Sequence, residues 1–189
     1  LTTVVIDLPT NILGLQKSHI KNRGLTEEEI FNISLKNTLS DFEPKTSTFE
    51  KSWLRYTFVA DIEQPYISSY ILDIDNFKEH FWTFWTFVSI PNHHQLILMP
   101  VNTLSDLANF RMFFQVTHKA FSEFPWSLSE HIFLYRNDSL TKVTSELVKE
   151  DKQLLVLNTE NHELKNLIKD LVTDCPDAAY LTTMDEVYE

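Results

Sequence analysis

Trp85-Thr86-Phe87-Val88-Ser89-Ile90-Pro91-Asn92-His93-His94-Gln95-Leu96-Ile97-Leu98-Met99-Pro100-Val101 is the stretch on which the fold turns. Two apolar runs flank a short polar break. Thr83, Trp85, Phe87 and Ser89 fall on one side of a period-two ladder, the spacing of a strand. The reading is a strand ending at Ile90, a turn at Pro91-Asn92-His93-His94 and a returning strand over 95–101, which together make a hairpin.

On the C-terminal side, Thr103 and Asp106 stand three apart, the spacing of a capping box. Leu104, Leu107, Phe110, Phe114, Thr117, Phe121 and Phe124 then recur at three and four residues. This predicts one long helix over 104–124, closed by Pro125 and centred on Phe114. Residues 131–136 and 140–145 flank Asn137-Asp138-Ser139, the turn chemistry of a second hairpin. A strand over 154–157 and a helix near 160–172, striped by Leu164, Leu167, Ile168 and Leu171, complete the ordered pattern. Residues 179–182 read as an edge strand.

On the N-terminal side, Ile74, Phe77 and Phe81 predict a short helix reaching about Trp82. Asp73-Ile74-Asp75, with Glu79-His80, reads as capping at its start. Runs over 66–72 and 53–60 read as strands. Thr26-Glu27-Glu28-Glu29 is a capping box followed by Ile30, Phe31, Leu35 and Leu39, so a helix over about 26–40 is expected. Residues 3–8 read as a strand ended by Pro9. The fold class is therefore α+β: a mixed or antiparallel sheet with hairpins against two or three helices. A core domain over 1–145 is expected to carry a β-α extension over 146–189.

Composition narrows the function. Among 189 residues, 43% are hydrophobic and 14 are Phe, the make-up of a chain with a large core. Only two glycines occur, Gly14 and Gly24. Loops that cradle phosphates need several, so P-loop and dinucleotide readings are excluded and no cofactor is expected. The single cysteine, Cys175, permits neither an internal disulfide nor a thiolate metal cluster. Its acidic neighbours Asp174 and Asp177 would raise a thiol pKa, the wrong direction for a nucleophile. No apolar run approaches the ~20 residues of a membrane span. The start, Thr2-Thr3-Val4-Val5-Ile6-Asp7, lacks a basic leader region, so a cytoplasmic setting is expected.

Several phrases line up with a known family. They are Gly24-Leu25-Thr26-Glu27-Glu28-Glu29-Ile30-Phe31, Leu35-Lys36-Asn37-Thr38, Ser69-Tyr70-Ile71-Leu72, Phe87-Val88-Ser89-Ile90-Pro91-Asn92, Leu96-Ile97-Leu98 and His131-Ile132-Phe133-Leu134-Tyr135. In this order, over roughly residues 1–145, the chain resembles the YtpQ-like bacterial family, whose function is unknown. Where that family has a basic residue and then an acid after Pro-Asn, this chain has His93 and His94. The resemblance implies a bacterial cytoplasmic α+β protein and carries no activity.

Candidate chemistry is sparse. His93 and His94 are the weak candidates for a metal site, but adjacent residues on an extended chain point to opposite sides and no third ligand is spaced to join them. His118, Glu123, Glu130 and His131 could converge only through the fold. No Ser stands in a Gly-x-Ser-x-Gly elbow. The aromatic run Phe81–Trp85, with Trp53 and Trp126, reads as core packing. Trp82 falls off the helical stripe and is the candidate exposed anchor.

Charge points further. The net charge is −11. Residues 80–136 hold three acids, Asp106, Glu123 and Glu130, balanced by Arg111, Lys119 and Arg136. The excess lies before residue 80 and in Glu160, Glu163, Asp174, Asp177, Asp185, Glu186 and Glu189. Acidic surfaces repel nucleic acid and anionic lipid and steer basic partners. The expectation is a non-enzymatic binding protein whose partner is a basic protein, such as a toxin neutralised by an immunity protein. The alternatives are an acidic secretion-type chaperone, or a hydrolase that gathers two of His93, His94, His118 and His131 with a carboxylate in one pocket.

Overall fold

The computed structural model describes residues 5–8, 11–16, 18, 20, 24–41, 46–51, 54–60, 66–80, 85–143, 145–151 and 154–174. Trp53, Phe81, Trp82, Cys175, Asp177, the expected strand over 179–182, Asp185, Glu186 and Glu189 lie outside the described residues. The chain divides into two compact units, Leu1–Glu43 and Pro44–Glu189.

In the first unit, β1 (Val5–Leu8) pairs antiparallel with β2 (Asn11–Gly14), Leu8 opposite Asn11. Helix α1 (Glu27–Asp41) starts where the capping box placed it. Glu29 Oε2 accepts hydrogen bonds from the Thr26 N–H at 2.8 Å and the Thr26 hydroxyl at 2.9 Å, and the Glu29 N–H donates back to Thr26 Oγ1. These bonds, the backbone one first, hold the Glu29 carboxyl below the usual carboxylate range.

The second unit is built on a six-stranded antiparallel sheet. Its strands are β3 (Thr46–Lys51), β4 (Leu54–Ala60), β5 (Trp85–Asn92), β6 (Gln95–Val101), β7 (Ile132–Arg136) and β8 (Ser139–Val143). They lie side by side in the order β3-β4-β6-β5-β7-β8. Helices α2 (Leu104–Ala108) and α3 (Phe110–Glu123) follow the central hairpin, and β9 (Val148–Asp151), β10 (Leu154–Leu157) and α4 (His162–Asp174) close the unit. Every described ladder is antiparallel, so the α+β class holds.

The central hairpin is mostly apolar and buried along nearly its whole length because both its faces are covered. Trp85, Phe87, Ile97, Met99 and Val101 share one buried cluster with Leu107, Phe110 and Phe113 of the helices and with Leu164 and Leu171 of α4. Val88, Leu96 and Leu98 are also fully buried. A 3-10 segment, Ile67–His80, packs against β5 and β6 and buries its own Ile67, Tyr70 and Ile74.

That segment corrects the strand read over 66–72. The buried positions stand three and four apart, a helical spacing that the β-favouring Ile and Tyr conceal. Asp73 is the non-helical residue (φ −135°, ψ 42°) at a kink that divides the segment into two helical pieces, so it stands just ahead of the second piece, near a helix start as expected.

The long helix over 104–124 is also corrected. It breaks at Asn109, whose N–H bonds back three residues to the Asp106 carbonyl at 3.0 Å. The capping box of Thr103 and Asp106 is formed. In α3 the buried face is Phe110, Phe113, Thr117 and Ala120, while Phe114 is half-buried. Periodicity cannot choose between Phe113 and Phe114, or between Ala120 and Phe121. Close approach to the sheet decides: Thr117 Oγ1 donates to Ser89 Oγ at 2.9 Å, and small side chains must line that contact.

The second hairpin turns through Asn137 and Asp138, both in the left-handed region (φ 49° and 56°), with Arg136 opposite Ser139. This is a two-residue I′ turn, for which Asn and Asp are favoured.

Phe113→Ala is expected to cost about 3–5 kcal/mol and Phe114→Ala about half as much. Urea unfolding of the two variants checks the order. Equal losses would show that the helix face is assigned wrongly.

Candidate functional site

The C-terminal segment forms a site on one face of the β7–β8 hairpin. Asn158 and Asn161 both donate from Nδ2 to the Glu146 carbonyl, at 3.2 and 3.4 Å. Asn161 Oδ1 accepts from the Leu164 N–H at 3.0 Å and so caps α4. Leu164 and Leu171, two turns apart, are fully buried against the sheet. The helix is thereby pinned by its start and by one apolar stripe.

A network of charge fixes its other end. Trp85 Nε1, in the fully buried first residue of β5, donates to Asp174 Oδ2 at 2.8 Å. The Arg136 guanidinium lies over the Trp85 ring, 4.9 Å from its centroid. Its Nη1 donates to Asp170 Oδ2 at 2.9 Å. Its Nε stands 3.0 Å from Asp174 Oδ2, an ion pair whose N–H points off the line of a hydrogen bond.

Between the hairpin and α4 lies an open cleft of about 750 Å³. Leu134 and Arg136 of β7, Ser139 and Thr141 of β8, and His162, Glu163, Asn166 and Asp170 of α4 are among its lining residues, with Glu146 beside them. Three carboxylates thus face one guanidinium. That guanidinium is already held by Asp170 and by Asp174. Lys165 and Lys169 of the same helix do not line the cleft, so its charge is negative.

The expected site residues therefore part company. Glu163 lines the cleft and Glu160 is exposed just ahead of α4. Asp174 is turned inward onto Trp85 and Arg136. Glu146 and Asp170 joined the site without a sequence signal, since only the fold brings 146 beside 163. Trp126, read as core, is corrected: it is 66% exposed. Pro125 ends the helix, Trp126 takes φ 58°, and its ring lies near that of His94, with centroids 5.3 Å apart.

The histidines do not gather. His93 is exposed and His94 is buried, and both lie in the turn between β5 and β6. Partial burial, and then the His94 ring, hold the His93 imidazole below the usual histidine range. His118 meets Glu130 at 3.7 Å on an exposed surface, and His131 lies 3.1 Å from Lys142. None of these four lines the cleft. Among the described residues no three His, Cys, Asp or Glu side chains are grouped to hold a metal. Among the same residues no helix is long and apolar enough to cross a membrane.

No family model, no curated protein and no solved structure matches this chain. The likeness to the YtpQ-like family rests on the quoted phrases alone.

Dialysis against a chelator is expected to leave the melting temperature unchanged. A fall of several degrees, reversed by zinc, would make His93 and His94 ligands after all.

Proposed function

We propose that this chain is a cytoplasmic binding protein for a basic protein partner, in the manner of a bacterial immunity protein that neutralises a toxin. One observation carries the reading: the cleft beside α4 is lined by Glu146, Glu163 and Asp170, and the Arg136 guanidinium among them is already held by Asp170 and Asp174. A carboxylate-lined, water-accessible cleft has little to offer an anion or an apolar ligand. It suits lysine and arginine side chains, which can exchange water for charged acceptors. The overall charge of −11 has the same sign and would steer such a partner from a distance. Exposed aromatic side chains such as Trp126 are of the type that set complex lifetime once contact is made. Asp177, Asp185, Glu186 and Glu189 extend the same charge along the sequence toward its end.

A fluorescent lysine-rich peptide tests this. Binding should weaken steeply from 0.05 to about 0.5 M salt, as screening shortens the reach of charge to a few ångströms. The double variant Glu146→Gln/Glu163→Gln should bind about tenfold more weakly, a loss of about 1.4 kcal/mol. Binding that ignores both salt and the two substitutions would refute an acidic recognition site.

A further inference from the structure

Among the described residues strand β8 is an open edge. It ends the sheet order, and among the described residues no strand pairs on its outer side. Ser139, Leu140, Thr141 and Lys142 are all exposed. The two-residue turn makes Arg136–Ser139 the first hydrogen-bonded pair, so Leu134–Thr141 and Ile132–Val143 are the next. The N–H and C=O groups of Ser139, Thr141 and Val143 therefore point to β7. Those of Leu140 and Lys142 point outward, with the spacing of a strand awaiting a neighbour.

The faces of β8 differ. Ser139 and Thr141 look into the acidic cleft with Leu134 and Arg136. Leu140 looks the other way and is 39% exposed. A strand that paired with β8 opposite Leu140 would have its two neighbouring residues opposite Ser139 and Thr141, on the cleft side. Those side chains would reach Glu163, Asp170 and Glu146. The residue between them would lie beside Leu140.

We infer that the partner segment binds as an added β-strand on β8, with basic residues at alternate positions in the cleft and an apolar residue between them. The inference rests on the acidic-site reading above and adds to it a backbone mode and a sequence pattern. Charge selects this occupant over a second copy of the chain. Pairing β8 with itself would bring two negative clefts together, and Lys142 on the edge disfavours self-pairing. An extended basic segment places opposite charge in the cleft and pairs with the outward-pointing amides at once.

Three peptides separate the possibilities. One alternates, Lys-Val-Lys-Val-Lys; the second has the same composition in blocks, Lys-Lys-Lys-Val-Val; the third is the alternating peptide methylated on backbone nitrogens. The alternating peptide should bind about tenfold more tightly than either other peptide. Leu140→Pro, which removes an outward N–H without touching the β7 ladder, should abolish that advantage. If the substitution disturbs the hairpin, the methylated peptide tests the same hydrogen bonds on the unaltered protein. Equal, salt-sensitive binding of all three peptides would overturn strand addition and leave the acidic site standing. No binding by any of them would overturn both.

Discussion

Arg136 over Trp85, with Asp170 and Asp174 closing around it, is the interaction on which the C-terminal half depends. It joins three elements that are far apart in sequence. Trp85 opens β5, Arg136 ends β7 directly opposite it, and both aspartates belong to α4. The indole is fully buried, so its N–H needs a partner, and a carboxylate is a stronger one than any neutral acceptor. The aspartates keep about a quarter to a half of their side-chain surface in water. The desolvation that makes deeply buried ion pairs costly is therefore only partial here. The same arrangement neutralises the cleft's guanidinium, and Glu146 and Glu163 line the cleft beside it. The structural network and the proposed binding charge thus meet at one cleft.

The apolar core works alongside this network. The central hairpin is buried on both faces, by α2, α3 and α4 on one and by the 3-10 segment on the other. Burial on both sides makes β5 and β6 rigid and fixes β7 against β5. The edge hairpin β7–β8 inherits that order while its outer strand stays in water. A rigid edge with an open backbone and an acidic groove beside it can hold an extended chain at little ordering cost to the protein.

Much of this was legible in the sequence, for local reasons. The capping boxes at Thr26 and Thr103, the Asn137-Asp138 turn and the Leu164–Leu171 stripe are each set by neighbours within a few residues. The central hairpin was legible because its apolar runs are long. Strands β2, β3 and β9 were missed because short or polar strands such as Thr46–Lys51 and Val148–Asp151 carry no apolar alternation; the partner strand defines them. The phase of α3 was misread because aromatic pairs sit on both sides of the 3.6-residue period. The site itself was mostly hidden: Trp85 and Asp174 are 89 positions apart, and no local pattern links them. The acidity of the helix start was visible at Glu160 and Glu163, but the cleft that gathers Glu146 and Asp170 with Glu163 was not.

The central claim is that the Trp85–Asp174 bond holds α4 in place. A double-mutant cycle on stability, with Trp85→Phe and Asp174→Asn measured singly and together, tests it most directly. A coupling of about 1 kcal/mol or more is expected, as for a partly buried hydrogen bond to a charged group. Losses that simply add would contradict the account, because the two side chains would then stabilise the protein independently.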